Sequence, residues 1–109
     1  MFENDELTLG MDLGGTNLFF RLEAPGRLLS SGSMATSQDF STQLKDIYEN
    51  LVRQFGAIHT VSLGVPGPVK DNVMGPSFPL GTREQFTFER CFKGLSRLIV
   101  KNDLFMALA

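Results

Sequence analysis

The sequence has one cysteine, Cys91, and one histidine, His59. A single cysteine excludes a disulfide within the chain and favours a reducing compartment. His59 opens an apolar run with no second cluster of ligand-type residues beside it, so no metal role is expected of it. Cys91 has no His and Asn arranged with it in a nucleophile pattern and reads as a packed side chain. No apolar run approaches the roughly 18 residues that a membrane-spanning helix needs. The opening Met1-Phe2-Glu3-Asn4-Asp5-Glu6 is acidic and too polar for a secretory leader. A charge excess is missing too: the formal net charge is -2, which gives no field for nucleic acid or anionic lipid. Arg83, Arg90, Lys93, Arg97 and Lys101 form a mild basic bias and read as a solvated face near a domain boundary. Neither a GxxxxGK[ST] phosphate loop nor an internal repeat occurs. These absences predict a soluble, cytoplasmic protein that has neither nucleic acid nor membrane as a partner.

What is present suits a single domain. The chain has 109 residues, 42% of them hydrophobic and 10 of them phenylalanine, enough for one packed core. Leu7 to Leu13 alternates like a strand. Asn17 to Leu22 reads as a second strand after the tight Gly14-Gly15 turn, and Gly26 opens a third over Arg27 to Met34. Turns this short predict antiparallel neighbours. From Phe40 the period changes: Phe40, Leu44, Ile47, Tyr48, Leu51, Val52 and Phe55 share one helical face. Ser37 or Asp39 can cap the start of that helix, and Gly56 fits just past its end.

The run from His59 to Val65 suits a strand covered on both faces. Pro66-Gly67-Pro68 ends it, and Val69 to Met74 reads as a small hairpin turning at Asp71-Asn72. Gly75 to Gly81 is irregular. A short helix is expected over Thr87 to Lys93, with Phe88, Cys91 and Phe92 inward and Gly94 as its stop. Arg97 to Lys101 reads as another buried strand, and Leu104 to Ala109 as the start of a helix. Three antiparallel strands that lead into helix-linked, parallel strands predict an α/β mixed sheet flanked by helices.

Three segments carry residues suited to chemistry. In Asp12-Leu13-Gly14-Gly15-Thr16-Asn17, a carboxylate ends one strand, two glycines turn the chain, and hydroxyl and amide groups begin the next strand. Glycine lets a backbone approach a phosphate and present its N–H groups. Asp12 beside such a turn can hold a magnesium ion, directly or through water. An ordinary Gly-Gly hairpin is the alternative. Gly64-Val65-Pro66-Gly67-Pro68-Val69 is a strand ending in a rigid turn, which can be structural alone. Asn102-Asp103 ends one strand and precedes a helix, where either residue type also serves as an N-cap. In open α/β sheets, ligands sit beyond the carboxyl ends of strands. Asp12, Pro66 and Asn102 all lie at such ends, so they are expected to converge on one crevice.

These motifs resemble those of glucokinases and of the wider bacterial sugar-kinase and repressor family. The resemblance implies the ribonuclease-H-like N-terminal lobe of an actin–hexokinase fold. It also implies that Gly14, Gly15, Thr16 and Asn17 face the phosphates of ATP, with Asp12 beside magnesium. Pro66 and Gly67 would border the sugar cleft. The stretch from Phe86-Thr87-Phe88 to Lys101-Asn102-Asp103-Leu104-Phe105-Met106-Ala107 follows the glucokinase plan. It implies that Asp103 takes the proton from a sugar hydroxyl while Asn102 hydrogen-bonds a neighbouring one.

Two features depart from the family. Where these kinases often carry an asparagine-rich, sugar-binding segment, Gly75-Pro76-Ser77-Phe78-Pro79-Leu80-Gly81 has no asparagine, and Ser77 is the best polar candidate there. The tail from Leu104 is bulkier than the small-residue helix of many relatives. The implied partners are a hexose, glucose or a related sugar, and a C-terminal nucleotide-binding lobe that this chain lacks. A homodimer stays open. The alternative function is the sugar-sensing, non-catalytic lobe of a related transcriptional repressor.

Overall fold

Alternation along the first strand sets the architecture. In the computed structural model, which describes residues 6–103, β1 (Leu7–Leu13) buries Leu7, Leu9, Met11 and Leu13 and leaves Thr8 and Asp12 exposed. A strand of period 2 therefore has one core face and one open face. β2 (Asn17–Ala24) pairs antiparallel with β1, and β3 (Arg27–Ala35) pairs antiparallel with β2. Gly26, at φ 71°, makes the β2–β3 turn, a left-handed conformation that favours glycine.

α1 (Phe40–Phe55) forms where the apolar spacing predicts it, and Phe40, Leu44, Tyr48 and Leu51 are buried. Asp39 is its N-cap: one carboxylate oxygen accepts from the Thr42 backbone N–H at 3.2 Å and the other from the Thr42 hydroxyl at 2.7 Å. Gly56, at φ 101°, closes the other end through its N–H to the Val52 carbonyl. Ser37 supports the cap instead of making it, since its hydroxyl accepts from the Asp39 N–H at 3.1 Å.

The helix returns the chain to the sheet. β4 (Ile58–Val65) lies parallel to β1, and β8 (Arg97–Asn102) lies parallel to β4, giving the order β3-β2-β1-β4-β8. The mixed sheet is thus as expected, with two corrections. First, Ile58, Val61, Leu63 and Val65 are buried while Thr60 and Ser62 on the other face are only half-buried, so β4 is fully covered on one side. Second, β8 is an edge strand in which, of its six residues, Val100 alone is buried.

Between these strands β5 (Val69–Lys70), β6 (Val73–Met74) and β7 (Phe86–Thr87) form a small antiparallel sheet. The helix expected over Thr87 to Lys93 is not formed. Phe86 and Thr87 instead pair with Met74 and Val73, and a 3-10 turn over Glu89–Cys91 is all that follows. Phe and Thr are strand formers. The expected inward residues are nonetheless inward: Phe88, Cys91 and Phe92 are buried. Phe86 and Phe88 stack on each other at 4.8 Å and on Phe40 at 5.1 and 6.3 Å. Tyr48 meets Phe92 edge-on at 5.3 Å and donates its hydroxyl to the Lys93 carbonyl at 2.9 Å. These contacts bind the β7–β8 connection to α1 in one continuous core. No helix of the described residues is long and apolar enough to cross a membrane. The helix expected from Leu104 lies outside the described residues.

Candidate active site

Parallel register brings the three motifs to one level. Asp12 of β1 is opposite Gly64 of β4, and Gly64 is opposite Lys101 of β8; one step on, Val65 is opposite Asn102. The carboxyl ends of β1, β4 and β8 therefore stand side by side, and strands so paired are about 4.8 Å apart. Asp12 lies on the open face, and Asp103 follows β8 directly and is half-buried.

The charge of Asp103 is felt at Asp12. The Asp12 carboxyl is raised above its ordinary value, first because neighbouring atoms take part of its hydration and second because the Asp103 charge repels its own. A place where two anions face one another with oxygen donors attracts a hard cation. Among the described residues no group of three or more His, Cys, Asp or Glu side chains could hold a metal alone. Two carboxylates are a donor set that magnesium can use, since it keeps several waters and takes one or two carboxylates with substrate phosphates.

The glycine turn is built by close approaches. Gly14 donates its N–H to the Asn17 carbonyl at 2.9 Å. A Cβ on Gly14 would lie 2.9 Å from that same oxygen, and a Cβ on Gly15 would lie 2.8 Å from the Pro79 Cβ and 2.9 Å from the Pro79 oxygen. Gly15, Thr16 and Asn17 are exposed. Thr36 fastens the turn from β3: its hydroxyl donates to the Gly14 carbonyl at 2.7 Å and its N–H to the Thr16 carbonyl at 2.9 Å. The sequence reading missed Thr36. The β2–β3 register, which sets Asn17 opposite Ala35, is the signal that could have found it.

The Pro66-Gly67-Pro68 turn joins the other two motifs. The Asn102 side-chain amide donates to the Gly67 carbonyl at 2.7 Å, which ties the end of β8 to the end of β4. Ser77 donates its hydroxyl to the Pro66 carbonyl at 2.7 Å and accepts from the Leu80 N–H at 3.3 Å. Ser77 is 1% exposed, and its hydroxyl is turned into the loop. The reason is local: Gly75 to Gly81 folds on itself, with the Thr82 hydroxyl accepting from the Ser77 N–H at 2.9 Å and the Thr82 N–H reaching the Ser77 carbonyl at 3.0 Å. Ser77 shapes the loop that presents Pro79 to Gly15.

A groove of about 540 Å³ runs from Asp12 across β1, β2 and β3, past Phe19, Arg21 and Gly32. A second hollow of about 420 Å³ lies between Asn102, Lys101 and the Asp71-Asn72 turn. Cys91 and His59 stand apart from both. Burial pushes the Cys91 thiol up to about 11, which keeps it protonated and inert.

No family model and no curated protein sequence matches the chain. Solved structures do. A glucokinase from Balamuthia mandrillaris in complex with glucose superposes with a TM-score of 0.72 at 15% identity, over 92% of this chain and 30% of its own. The ROK hexokinase from Thermus thermophilus matches with a TM-score of 0.67 at 26% identity, over 89% of this chain and 35% of its own. A glucokinase from an Antarctic psychrotroph gives a TM-score of 0.60 at 20% identity, over 91% and 33%. The chain spans about a third of the length of these structures, and its mixed sheet has the actin–hexokinase-like fold of the sugar kinases.

Proposed function

We propose that this chain is the N-terminal lobe of an ATP-dependent hexose kinase, most closely a glucokinase, in which Asp103 is the base. The observation that carries the reading is the convergence of Asp12 and Asp103 at the carboxyl ends of two parallel strands, close enough for one charge to raise the other's proton affinity. A non-catalytic sugar sensor has no need of that pair, since binding a hydroxyl does not require two opposed anions.

In this reading Asp103 accepts the proton of a sugar hydroxyl as its oxygen bonds to the γ-phosphorus of ATP and the bond to the departing ADP breaks. Asn102, Pro66 and Gly67 border the sugar, and the Asn102–Gly67 hydrogen bond sets the distance between the two walls. Gly14, Gly15, Thr16 and Asn17 face the phosphates, and the small cross-section of the glycines admits them closely. Magnesium beside Asp12 would neutralise phosphate charge in the transfer. The cytoplasm, where ATP is plentiful, is the matching location, and the second lobe supplies the nucleotide pocket.

Asp103→Asn in the full-length protein is the test. Asn caps a helix about as well as Asp but accepts no proton. A positioned base contributes roughly 100- to 10,000-fold, so kcat for glucose in an ADP-release assay is expected to fall by that factor while the melting temperature holds. A kcat within a few-fold of the parent would return Asp103 to the role of a cap. Running the same assay over several hexoses identifies the substrate.

A further inference from the structure

β8 has β4 on one side only. The outer side of an edge strand normally leaves N–H and C=O groups to solvent. On β8 one side chain takes two of them. The Asn72 amide donates from Nδ2 to the Leu98 carbonyl at 2.8 Å, and its Oδ1 accepts from the Val100 N–H at 2.9 Å. A primary amide offers the same donor and acceptor as a peptide group, so Asn72 occupies the place of a peptide in a sixth strand. Its backbone is set for the task. Asp71 and Asn72 lie at φ 53° and 64° in the β5–β6 turn, a left-handed conformation that Asn and Asp tolerate better than other side chains.

Position gives this contact a consequence. Val100 is two residues before Asn102 and three before Asp103. The Gly67 carbonyl holds Asn102 at 2.7 Å, and Asn72 holds Leu98 and Val100, so the segment from Gly67 to Asn72 grips β8 at Leu98, Val100 and Asn102. The parallel ladder to β4 fixes the strand from one side, and Asn72 fixes it from the other. We infer that Asn72 is a positioning residue for Asp103: it sets the height at which the carboxylate faces the sugar hydroxyl and Asp12. The inference rests on the reading of Asp103 as the base.

A double-mutant cycle in the full-length protein tests it. Asn72→Gly keeps the left-handed backbone and removes both bonds. Displacing a reacting group by about 1 Å can cost roughly 100-fold, so kcat should fall by about 10- to 100-fold with the KM for ATP unchanged. In an Asp103→Asn background the same substitution should cost no further kcat, because residues that act through one another are not additive. Asn72→Asp keeps the acceptor for the Val100 N–H but sets an anionic oxygen against the Leu98 carbonyl; it too should lower kcat, and it serves as the probe if the glycine variant does not fold. Parental kcat in the folded Asn72 variants, or an equal loss in both backgrounds, would overturn the positioning role. Parental kcat in Asp103→Asn alone has a different signature and would overturn the base itself, and with it this inference.

Discussion

The residues of the site differ in how far their chemistry can be read before their surroundings are known. That Asp12 and Asp103 stand near each other was legible because each lies at the carboxyl end of an apolar strand, and parallel pairing leaves such ends little choice but to meet. The burial of Ser77 was not legible, because its neighbours in sequence say nothing of the Pro66 carbonyl that captures its hydroxyl. Ser77→Ala leaves that carbonyl and the Leu80 N–H without their partner in a buried place. The expected cost is about 1–3 kcal/mol, readable as a lower urea midpoint at unchanged slope.

Asp12 makes a prediction of the opposite sign. Its carboxyl is raised in the folded chain by lost hydration and by Asp103, so the folded state favours its protonated form. Ionised Asp12 therefore opposes folding, and its contribution to stability falls as pH rises from the ordinary carboxylate value through the raised one. Asp12→Asn should melt higher than the parent at pH 7, and the gain should vanish below about pH 4. A melting temperature at or below the parent's at pH 7 would contradict a carboxyl raised by lost hydration and the Asp103 charge.

At the scale of elements, α1 was legible to its last residue because periodicity, cap and stop agree: Phe40 to Phe55, with Asp39 before and Gly56 after. The segment after Gln85 was not. Phe88, Cys91 and Phe92 have helical spacing, yet Phe86 and Thr87 pair with β6, and a two-residue strand carries no periodicity to read. Asn72 was equally hidden, since a turn asparagine looks the same whether its amide meets water or strand β8.

The cap of α1 gives a testable pH dependence. Hydrogen bonds from the Thr42 hydroxyl and N–H hold the Asp39 carboxyl below its ordinary value. A group depressed on folding adds stability above its unfolded value and loses it as pH falls through the folded one. Asp39→Ala should lower the melting temperature at pH 7, by an amount that shrinks below about pH 4, whereas Asp39→Asn should keep most of the cap. An equal deficit at pH 3 and pH 7 would show that the carboxylate charge is not what caps the helix.

At the scale of the molecule, the decisive feature is that Asp12, the glycine turn and Asp103 lie at the carboxyl-end edge of one sheet, with Asp12 on its open face. Thr8 and Asp12 are exposed on that face, and Phe19 beside them is 50% exposed. Phosphoryl transfer depends on positioning the donor in line with the acceptor and on surrounding the transferring group with charge in a water-excluded site. In the proposed reading, Asp12, the glycine turn and Asp103 supply the acceptor's base and one side of that surround. Residues that clasp the adenosine and the far phosphates belong, in the proposed reading, to a second lobe. The 109-residue chain alone should therefore fold through its own core, as a cooperative melt would show, and yet release no ADP from ATP and glucose above the rate without protein. Adding ATP and magnesium should leave its melting temperature unchanged, since a ligand bound by the folded state alone would raise it as the logarithm of its concentration over Kd. Turnover by this chain alone near an ordinary enzyme value of about 10 per second would mean that the phosphates are held by its own residues and that the two-lobe reading is wrong.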